Sequence, residues 1–295
     1  MIRRLLILTM MFMLAAMPTL APSVAAEVVC SDTTPEAAAS PEASPAPSIP
    51  EATFPEDGGS LTIFAAASLT DAFGEMKTRL EADHPSLEIS IEAAGSQTLV
   101  TQLQQGAQAD VLATANLKWM DTAVESDLVA GEPVVFTGNR LVIVAPENNP
   151  AGITSIDDLA GDGVSLILAG PDVPAGSYAQ QAFCTYASSD AAPEGFIDSI
   201  NANLVSEEVD VRSVLAKIQL GEADAGVVYA SDAAAATLSG TPLTVIEFPT
   251  TVPTSADYPI AALSGGNVDL ANAFIAYVMS DEGQAILADY GFTAE

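Results

Sequence analysis

Short apolar segments alternate with amphipathic ones from Ser60 to the C-terminus. In the first pair, residues 61–67 form an apolar run of strand length, and Leu69, Phe73 and Met76 fall on one side of the helix that follows. Strands that alternate with helices predict an α/β fold with mainly parallel sheets. About ten strands and as many helices over about 235 residues favour two lobes over one.

The N-terminus has the three parts of a secretory signal peptide: a basic start, an apolar run from residue 5 to residue 17, and small residues that end at Ala26. We therefore predict a signal peptide at residues 1–26, and export to the periplasm or to the outer face of the cytoplasmic membrane. Residues 27–59 are rich in Pro, Ala and Ser and poor in large apolar side chains, which predicts a disordered tether. No later segment approaches the ~20 apolar residues of a membrane span.

The chain is strongly acidic, with 8 Lys and Arg against 39 Asp and Glu and a net charge of −31. Such a surface repels phosphate backbones and anionic membranes, so a nucleic-acid partner is not expected.

The sequence contains two cysteines, Cys30 and Cys184, and leaves three states open for them. Cys30 follows the predicted signal peptide, which permits lipid attachment, but residues 27–29 lack the small residue expected at such a processing site. A disulfide between the two cysteines and a pair of free thiols are the alternatives. A metal site is not favoured, because neither cysteine has ligand spacing to the single histidine, His84.

Ser68 lies at the predicted junction of the first strand and the first helix. With Asp71 three residues later it has the arrangement of a capping box, which predicts that Ser68 is the N-cap. A helix N-terminus presents unpaired N–H groups and a partial positive charge, so a hydroxyl there adds a donor at a place suited to an anion. For this corner alone, a purely structural cap is the favoured interpretation.

Further corners of the predicted fold repeat this arrangement at Ser96, at residues 174–176 and at residues 210–211, and Tyr229 ends a buried strand. In open α/β sheets, ligands bind at the carboxyl ends of strands. None of these residues is cationic, and a cleft lined by neutral donors suits a fully ionised tetrahedral oxyanion. Taken singly each corner is weak evidence, since Gly176 also suits a tight turn and Tyr229 also suits a core position.

Residues 60–295 resemble the periplasmic molybdate-binding proteins of ABC importers. The matching segments include Phe64-Ala-Ala-Ala-Ser-Leu69, Gly95-Ser-Gln-Thr-Leu99, Asn139-Arg-Leu-Val-Ile-Val-Ala-Pro146, Val173-Pro-Ala-Gly-Ser-Tyr-Ala179, Asp210-Val-Arg-Ser-Val-Leu215, Gly221-Glu-Ala-Asp-Ala-Gly-Val-Val-Tyr229 and Tyr258-Pro-Ile-Ala261. The resemblance implies a two-lobed type II periplasmic-binding-protein fold with a ligand cleft between lobe 1 (residues 60–138 with 256–295) and lobe 2 (residues 139–255). It also implies a monomer that captures molybdate or tungstate and delivers it to a membrane ABC permease, with no cofactor.

The resemblance also implies a ligand set, with molybdenum bound as the oxyanion and not as a cation. Its members are the Ser68 hydroxyl and N–H, Ser96, the Ala175 and Val211 N–H groups and the Tyr229 hydroxyl. Gln97 departs from relatives that carry a small hydroxyl residue there, which puts only the support of Ser96 in doubt.

Three alternatives stand beside this interpretation. An enzyme with Ser68 as nucleophile would have to use His84, which lies before Pro85 at a predicted helix end, and the chain has no Gly-x-Ser-x-Gly elbow, so catalysis is not expected. A binding protein of the same fold for another tetrahedral oxyanion, such as sulfate, differs only in cavity size. A surface adhesion module is permitted by the tether but required by nothing in the folded part.

The predicted mechanism is closure of the lobes around the ligand, with hinges near residues 138–139 and 250–257.

Overall fold

The structure is a computed structural model that describes residues 27–30 and 52–293. The predicted signal peptide and most of the predicted tether lie outside the described residues. Within the described part, no helix combines the length and the apolar character needed to cross a membrane.

Nine strands are present in the described residues. They are β1 (Gly59–Ala66), β2 (Leu87–Ala94), β3 (Val111–Ala113), β4 (Val129–Ala145), β5 (Leu166–Ala169), β6 (Leu204–Glu208), β7 (Ala225–Tyr229), β8 (Thr244–Ile246) and β9 (Ser255–Leu263).

Nine α-helices alternate with these strands over the same ranges. They are α1 (Thr70–Asp83), α2 (Ser96–Gln104), α3 (Leu117–Glu125), α4 (Pro174–Ala187), α5 (Phe196–Asn203), α6 (Val211–Gln219), α7 (Ala230–Leu238), α8 (Val268–Val278) and α9 (Asp281–Asp289). Two 3-10 turns cover Ala67–Leu69 and Asp157–Ala160. The predicted apolar side of the first helix is confirmed for Phe73 and Met76 of α1, which are buried, and Leu69 is buried in the 3-10 turn before it.

The strands form one continuous path in the order β2-β1-β3-β9-β4-β7-β5-β6, with β8 paired to β4. We call β1, β2, β3 and β9 the first strand group, and β5, β6, β7 and β8 the second. Strand β1 is parallel to β2 and β3, and β5 is parallel to β6 and β7. The pairs that join these blocks, β3 with β9 and β4 with β7, β8 and β9, are antiparallel. The α/β class is therefore confirmed, but the expectation of mainly parallel sheets is wrong.

Strand β4 links the two groups and extends over 17 residues. Its first part pairs with β9 as far as Arg140, and its last part pairs with β7 and β8. Gly131 and Pro133 interrupt the apolar pattern of the first part, which is why the sequence did not indicate a strand there. The same segment brings the two predicted hinges together, because Gly138 pairs with Asp257 and Asn139 with Ala256.

Strand β6 was also not predicted. It lies at the end of the strand path, with Val205 and Glu207 exposed. An edge strand of mixed polarity carries little of the apolar signal on which sequence interpretation depends.

The two cysteines form a disulfide, with their Cα atoms 5.5 Å apart. Residues 27–30 also lie against α5, where the Val28 N–H donates to Oδ1 of Asn201 at 2.6 Å and Nδ2 of Asn201 donates to the Val28 carbonyl at 3.1 Å. Of the three states left open by the sequence, the structure has the disulfide, and a disulfide-bonded Cys30 has no thiol for a lipid.

Replacement of both cysteines by serine should lower the free energy of unfolding by about 2 kcal/mol, the low end of the usual range for a disulfide. The low value is expected because the segment keeps other contacts without the cross-link: Val28 is buried, and Asn201 and Gln180 hydrogen-bond to its backbone and to that of Val29. Urea unfolding of the two forms measures the difference. A loss of folding at 25 °C would contradict this account.

Candidate functional site

A pocket lies between the two strand groups, with an empty volume of about 200 Å³ that includes the part open to solvent. Its lining is made of small, apolar and hydroxyl residues: Ala66, Ala67, Ser68, Gly95, Ser96, Ala115, Val173, Pro174, Ala175, Val211 and Tyr229. None of these eleven side chains is charged. Even with the part open to solvent included, the space is small and its lining is uncharged, so it suits a small ion better than an organic cofactor.

All five residues that the sequence singled out line this pocket, and each is at most 4% exposed. Four of them start helical segments: Ser68 lies in the 3-10 turn before α1, Ser96 and Val211 are the first residues of α2 and α6, and Ala175 is the second residue of α4. The first N–H groups of a helix have no partner within it. Four helical starts from both strand groups therefore surround one small space.

Ser68 is not the N-cap of α1, and the predicted capping box is wrong. The 3-10 turn at Ala67–Leu69 delays the helix, so that Leu69 occupies the N-cap position and no side chain caps it. The Ser68 Oγ instead lies 2.8 Å from the hydroxyl of Tyr258 on β9. Release from the capping role leaves the Ser68 hydroxyl available to the pocket.

Ser96 is oriented by a contact from the neighbouring loop. Its Oγ accepts a hydrogen bond from the Ala115 N–H at 3.1 Å, which leaves the hydroxyl hydrogen available as a donor. The preceding residue has to be glycine, because a Cβ on Gly95 would come within 2.4–2.7 Å of the Gln97 amide and the Val209 carbonyl.

Gly176 has a packing role beyond that of a tight turn. A Cβ at this position would lie 2.0 Å from the Gly170 carbonyl oxygen and 2.3 Å from that of Ala169. Only glycine lets the first turn of α4 approach the end of β5 this closely. The approach sets the position of the Ala175 N–H.

Tyr229 ends β7 in the pocket wall, and its side chain is 1% exposed. Its hydroxyl has no hydrogen-bond partner among the described residues. Burial, with smaller contributions from neighbours led by Tyr258, raises the pKa of Tyr229 well above its usual 10, so the phenol keeps its proton at physiological pH. A buried unpaired donor is costly, and its position in the pocket wall indicates that a ligand supplies the acceptor.

Among the described polar contacts that join the strand groups around the pocket, three are shorter than 3 Å. The Gln97 side chain donates to the Val209 carbonyl at 2.7 Å, and the Trp119 indole donates to the Asp172 carbonyl at 2.9 Å. The third is the ion pair between Arg212 and Asp71. Gln97, the departure noted in the sequence, therefore contacts the opposite side of the pocket, while Ser96 keeps its own partner.

The ion pair is centred on Arg212, the second residue of α6. Its guanidinium contacts Asp71 on α1 at 2.6 Å and Asp232 on α7 at 3.4 Å. Asp232 is fully buried, and its carboxylate also accepts from the Tyr229 N–H at 3.1 Å. Burial raises the pKa of Asp232 to about 6, although Arg212 acts in the opposite direction. The positive charge of Arg212 is thus balanced by two carboxylates.

No group of histidine, cysteine and acidic residues suited to a metal ion occurs among residues 27–30 and 52–293. His84 caps the end of α1, where its ring packs on Phe54 at 4.9 Å between centroids. The partner of Ser68 is a phenol and not an imidazole, so the pocket offers hydrogen-bond donors and lacks the paired base of a serine nucleophile.

Sequence reasoning missed the residues that support the five donors. Four residues contact these donors directly or through one another: Tyr258, Asn139, Asp232 and Arg212. Tyr258 and Asn139 lie in segments that were matched to the molybdate-binding family, which was the available signal. Their roles depend on the β4–β9 pairing, which the sequence did not indicate.

Comparison with known proteins finds a matching family and similar proteins of known name. Residues 61–293 match the family described as bacterial extracellular solute-binding protein. The molybdate-binding protein ModA of Mycobacterium tuberculosis is 39% identical over 234 residues, which cover 79% of this chain and 84% of that protein. These findings confirm the resemblance inferred from the sequence.

Two solved structures have a similar fold. The substrate-binding domain of a putative molybdenum ABC transporter from Clostridium difficile has a TM-score of 0.58 and 27% identity, over 80% of this chain and 99% of that one. The sulfate-binding protein SubI of M. tuberculosis has a TM-score of 0.71 and 17% identity, over 80% of this chain and 86% of that one. At that identity the second likeness concerns the fold alone.

Replacement of Asp232 by asparagine should change how stability depends on pH. With a pKa raised to about 6, the folded state binds more protons than the unfolded state between pH 4 and 6, so this group's contribution to stability falls as pH rises. The stability of the wild type relative to D232N should therefore fall by about 2–3 kcal/mol over that interval. Urea unfolding at several pH values measures it. The exposed Asp121, replaced in the same way, is the control, and equal pH profiles for all three proteins would contradict the assignment.

Proposed function

The chain belongs to the family of bacterial extracellular solute-binding proteins, and we propose that its own solute is molybdate, with tungstate as a second ligand. In this proposal the anion is held by the five residues Ser68, Ser96, Ala175, Val211 and Tyr229. The protein is exported, acts as a monomer outside the cytoplasm, uses no cofactor, catalyses no reaction and delivers its ligand to an ABC permease.

The observation that carries the proposal is the Tyr229 hydroxyl. It is buried, protonated and unpaired, and it belongs to a pocket whose other polar groups are serine hydroxyls and helix-start N–H groups. An ion that accepts hydrogen bonds on every side satisfies all these donors together. Molybdate and tungstate are fully ionised tetrahedral oxyanions at neutral pH and are nearly the same size, so we expect both to bind.

The uncharged lining supports an anion without a titratable proton. Phosphate keeps such a proton near pH 7 and gains from an acceptor carboxylate, whereas the eleven lining residues include none. Sulfate also lacks a proton, and it is the alternative of the same fold class. We favour molybdate because the relative at 39% identity carries that name, while the sulfate-binding neighbour supports the fold alone.

We further propose that the two predicted lobes close on the ligand. Residues 60–138 with 256–295 supply Ser68 and Ser96, and residues 139–255 supply the other three donors. The contacts of Gln97, Trp119 and Arg212 join these same two parts around the pocket. Bending where β4 pairs with β9 near Gly138 would break these contacts and open the pocket to solvent.

Calorimetric titration with molybdate tests the proposal. Tyr229→Phe should weaken binding by about 10- to 100-fold, because it removes one hydrogen bond to a charged acceptor, worth roughly 1.5–3 kcal/mol. Tungstate should bind with similar affinity, and sulfate and phosphate much more weakly. Affinity should not change between pH 8 and 9, since this range lies above the pKa of Asp232 and well below that of Tyr229.

His84→Ala and Tyr277→Phe serve as controls, because both side chains lie outside the pocket lining, and their affinities should equal that of the wild type. Absence of both heat and a melting shift with molybdate and tungstate would refute the proposed ligand. Tight binding of sulfate without any binding of molybdate would favour the alternative, a sulfate-binding protein of the same fold.

Asp71→Asn tests closure. It weakens the ion pair that joins the two sides while leaving Arg212 with Asp232. Both partners of the lost pair are partly exposed, so we expect a small effect, about two- to fivefold weaker molybdate binding, through faster dissociation. Glu75→Gln removes the same charge from the same helix, where Glu75 pairs with Arg79. Equal effects of the two variants on molybdate affinity would show that the loss of one negative charge is responsible. That result would contradict a role of the Asp71–Arg212 ion pair in closure.

A further inference from the structure

A series of buried hydrogen bonds leads from Ser68 to residues that do not line the pocket. The Ser68 Oγ lies 2.8 Å from the Tyr258 hydroxyl, which in turn is 3.4 Å from Nδ2 of Asn139. The same Nδ2 donates to the Ser231 Oγ at 2.8 Å, and Oδ1 of Asn139 accepts from the Arg140 N–H at 2.9 Å. Tyr258 is fully buried.

The chemistry of the groups determines which one donates the hydrogen in each of these bonds. A backbone N–H can only donate, so Oδ1 of Asn139 is fixed on the Arg140 side, and the amide nitrogen must face Tyr258. That nitrogen also can only donate. The Tyr258 oxygen is therefore an acceptor from Asn139, and its single hydrogen has to go elsewhere.

Among the described residues, the acceptor for that hydrogen is the Ser68 Oγ. The Tyr229 hydroxyl is a neighbour of the Tyr258 ring, with centroids 5.7 Å apart, but it is in hydrogen-bonding geometry with no described group. If Ser68 donated to Tyr258 instead, the phenol hydrogen would be buried without an acceptor, which is unfavourable. Ser68 thus accepts from Tyr258, and its own hydrogen is left over.

We propose that Tyr258 is a positioning residue that, held by Asn139, directs the Ser68 hydroxyl hydrogen into the pocket. This inference rests on the proposed function, since the hydrogen is directed at the bound oxyanion. Tyr258 touches no ligand in this arrangement. It prevents Ser68 from turning its hydrogen away and from presenting a lone pair to an anion.

Within this series, the contact between Tyr258 and Ser68 belongs to one side of the pocket, while Asn139 lies at the predicted hinge between the two sides. Asn139 and Tyr258 lie on β4 and β9 where these strands pair, in register positions Asn139 with Ala256 and Thr137 with Tyr258. Ser68 follows β1 of the first strand group, to which β9 also belongs. The contact between Tyr258 and Ser68 therefore stays within one side of the pocket, and we expect the donor to be oriented before the ligand arrives.

A double-mutant cycle with molybdate calorimetry tests the proposal. Tyr258→Phe should weaken binding by about three- to tenfold, less than the loss of a whole donor, because Ser68 remains but is no longer held in one orientation. On a Ser68→Ala background the same substitution should have no further effect, because there is no hydroxyl left to orient. Tyr277→Phe, which removes a phenol that contacts Glu282 on the far helices, is the matched control and should leave affinity unchanged.

Two results would overturn the inference. One is wild-type affinity in Tyr258→Phe. The other is a loss that persists on the Ser68→Ala background and disappears on a Tyr229→Phe background, which would place the action of Tyr258 on the other phenol. If Tyr258→Phe melts too low to titrate, Asn139→Ala takes its place in the cycle, with the same expected coupling to Ser68. Failure of the wild type to bind molybdate would instead refute the proposed function itself.

Discussion

An anion can be held without a cation only where several hydrogen-bond donors converge on it in a space that water has left. The pocket meets this condition because helical segments from both strand groups begin at its edge. A single helix start would leave most of the anion facing solvent. The parallel blocks around β1 and β5 direct their strand ends, and the helices that follow them, toward the same space.

Small residues make this convergence possible. Backbone N–H groups act as donors only if nothing projects between them and the ligand, and the lining contains four alanines and one glycine. At Gly95 and Gly176 the requirement is steric, because a Cβ would overlap neighbouring side-chain or carbonyl atoms. The alanine- and glycine-rich corners that look weakly informative in the sequence therefore include two positions, Gly95 and Gly176, with little tolerance for substitution.

The sequence predicted which residues line the pocket better than it predicted the connections around it. Each donor lies next to its own strand or helix signal, so local patterns and the family resemblance were enough to select Ser68, Ser96, Ala175, Val211 and Tyr229. The pairing of β4 with β9 joins residues more than one hundred positions apart, and no local pattern encodes it. The errors follow from this: the capping box at Ser68 was inferred from its own neighbours, whereas the actual partner, Tyr258, is 190 residues away.

The charge of the protein gives these short-range donors their importance. A net charge of −31 repels an approaching oxyanion, and the charge of Arg212 is already balanced by Asp71 and Asp232. Affinity must then come from hydrogen bonds, which are stronger in a medium of low dielectric constant than in water. In the proposed mechanism, exclusion of water by closure and pre-orientation of each hydroxyl both strengthen these hydrogen bonds. A donor that must first reorient, or that stays hydrated, contributes little, which is why the groups behind the pocket matter as much as those that line it.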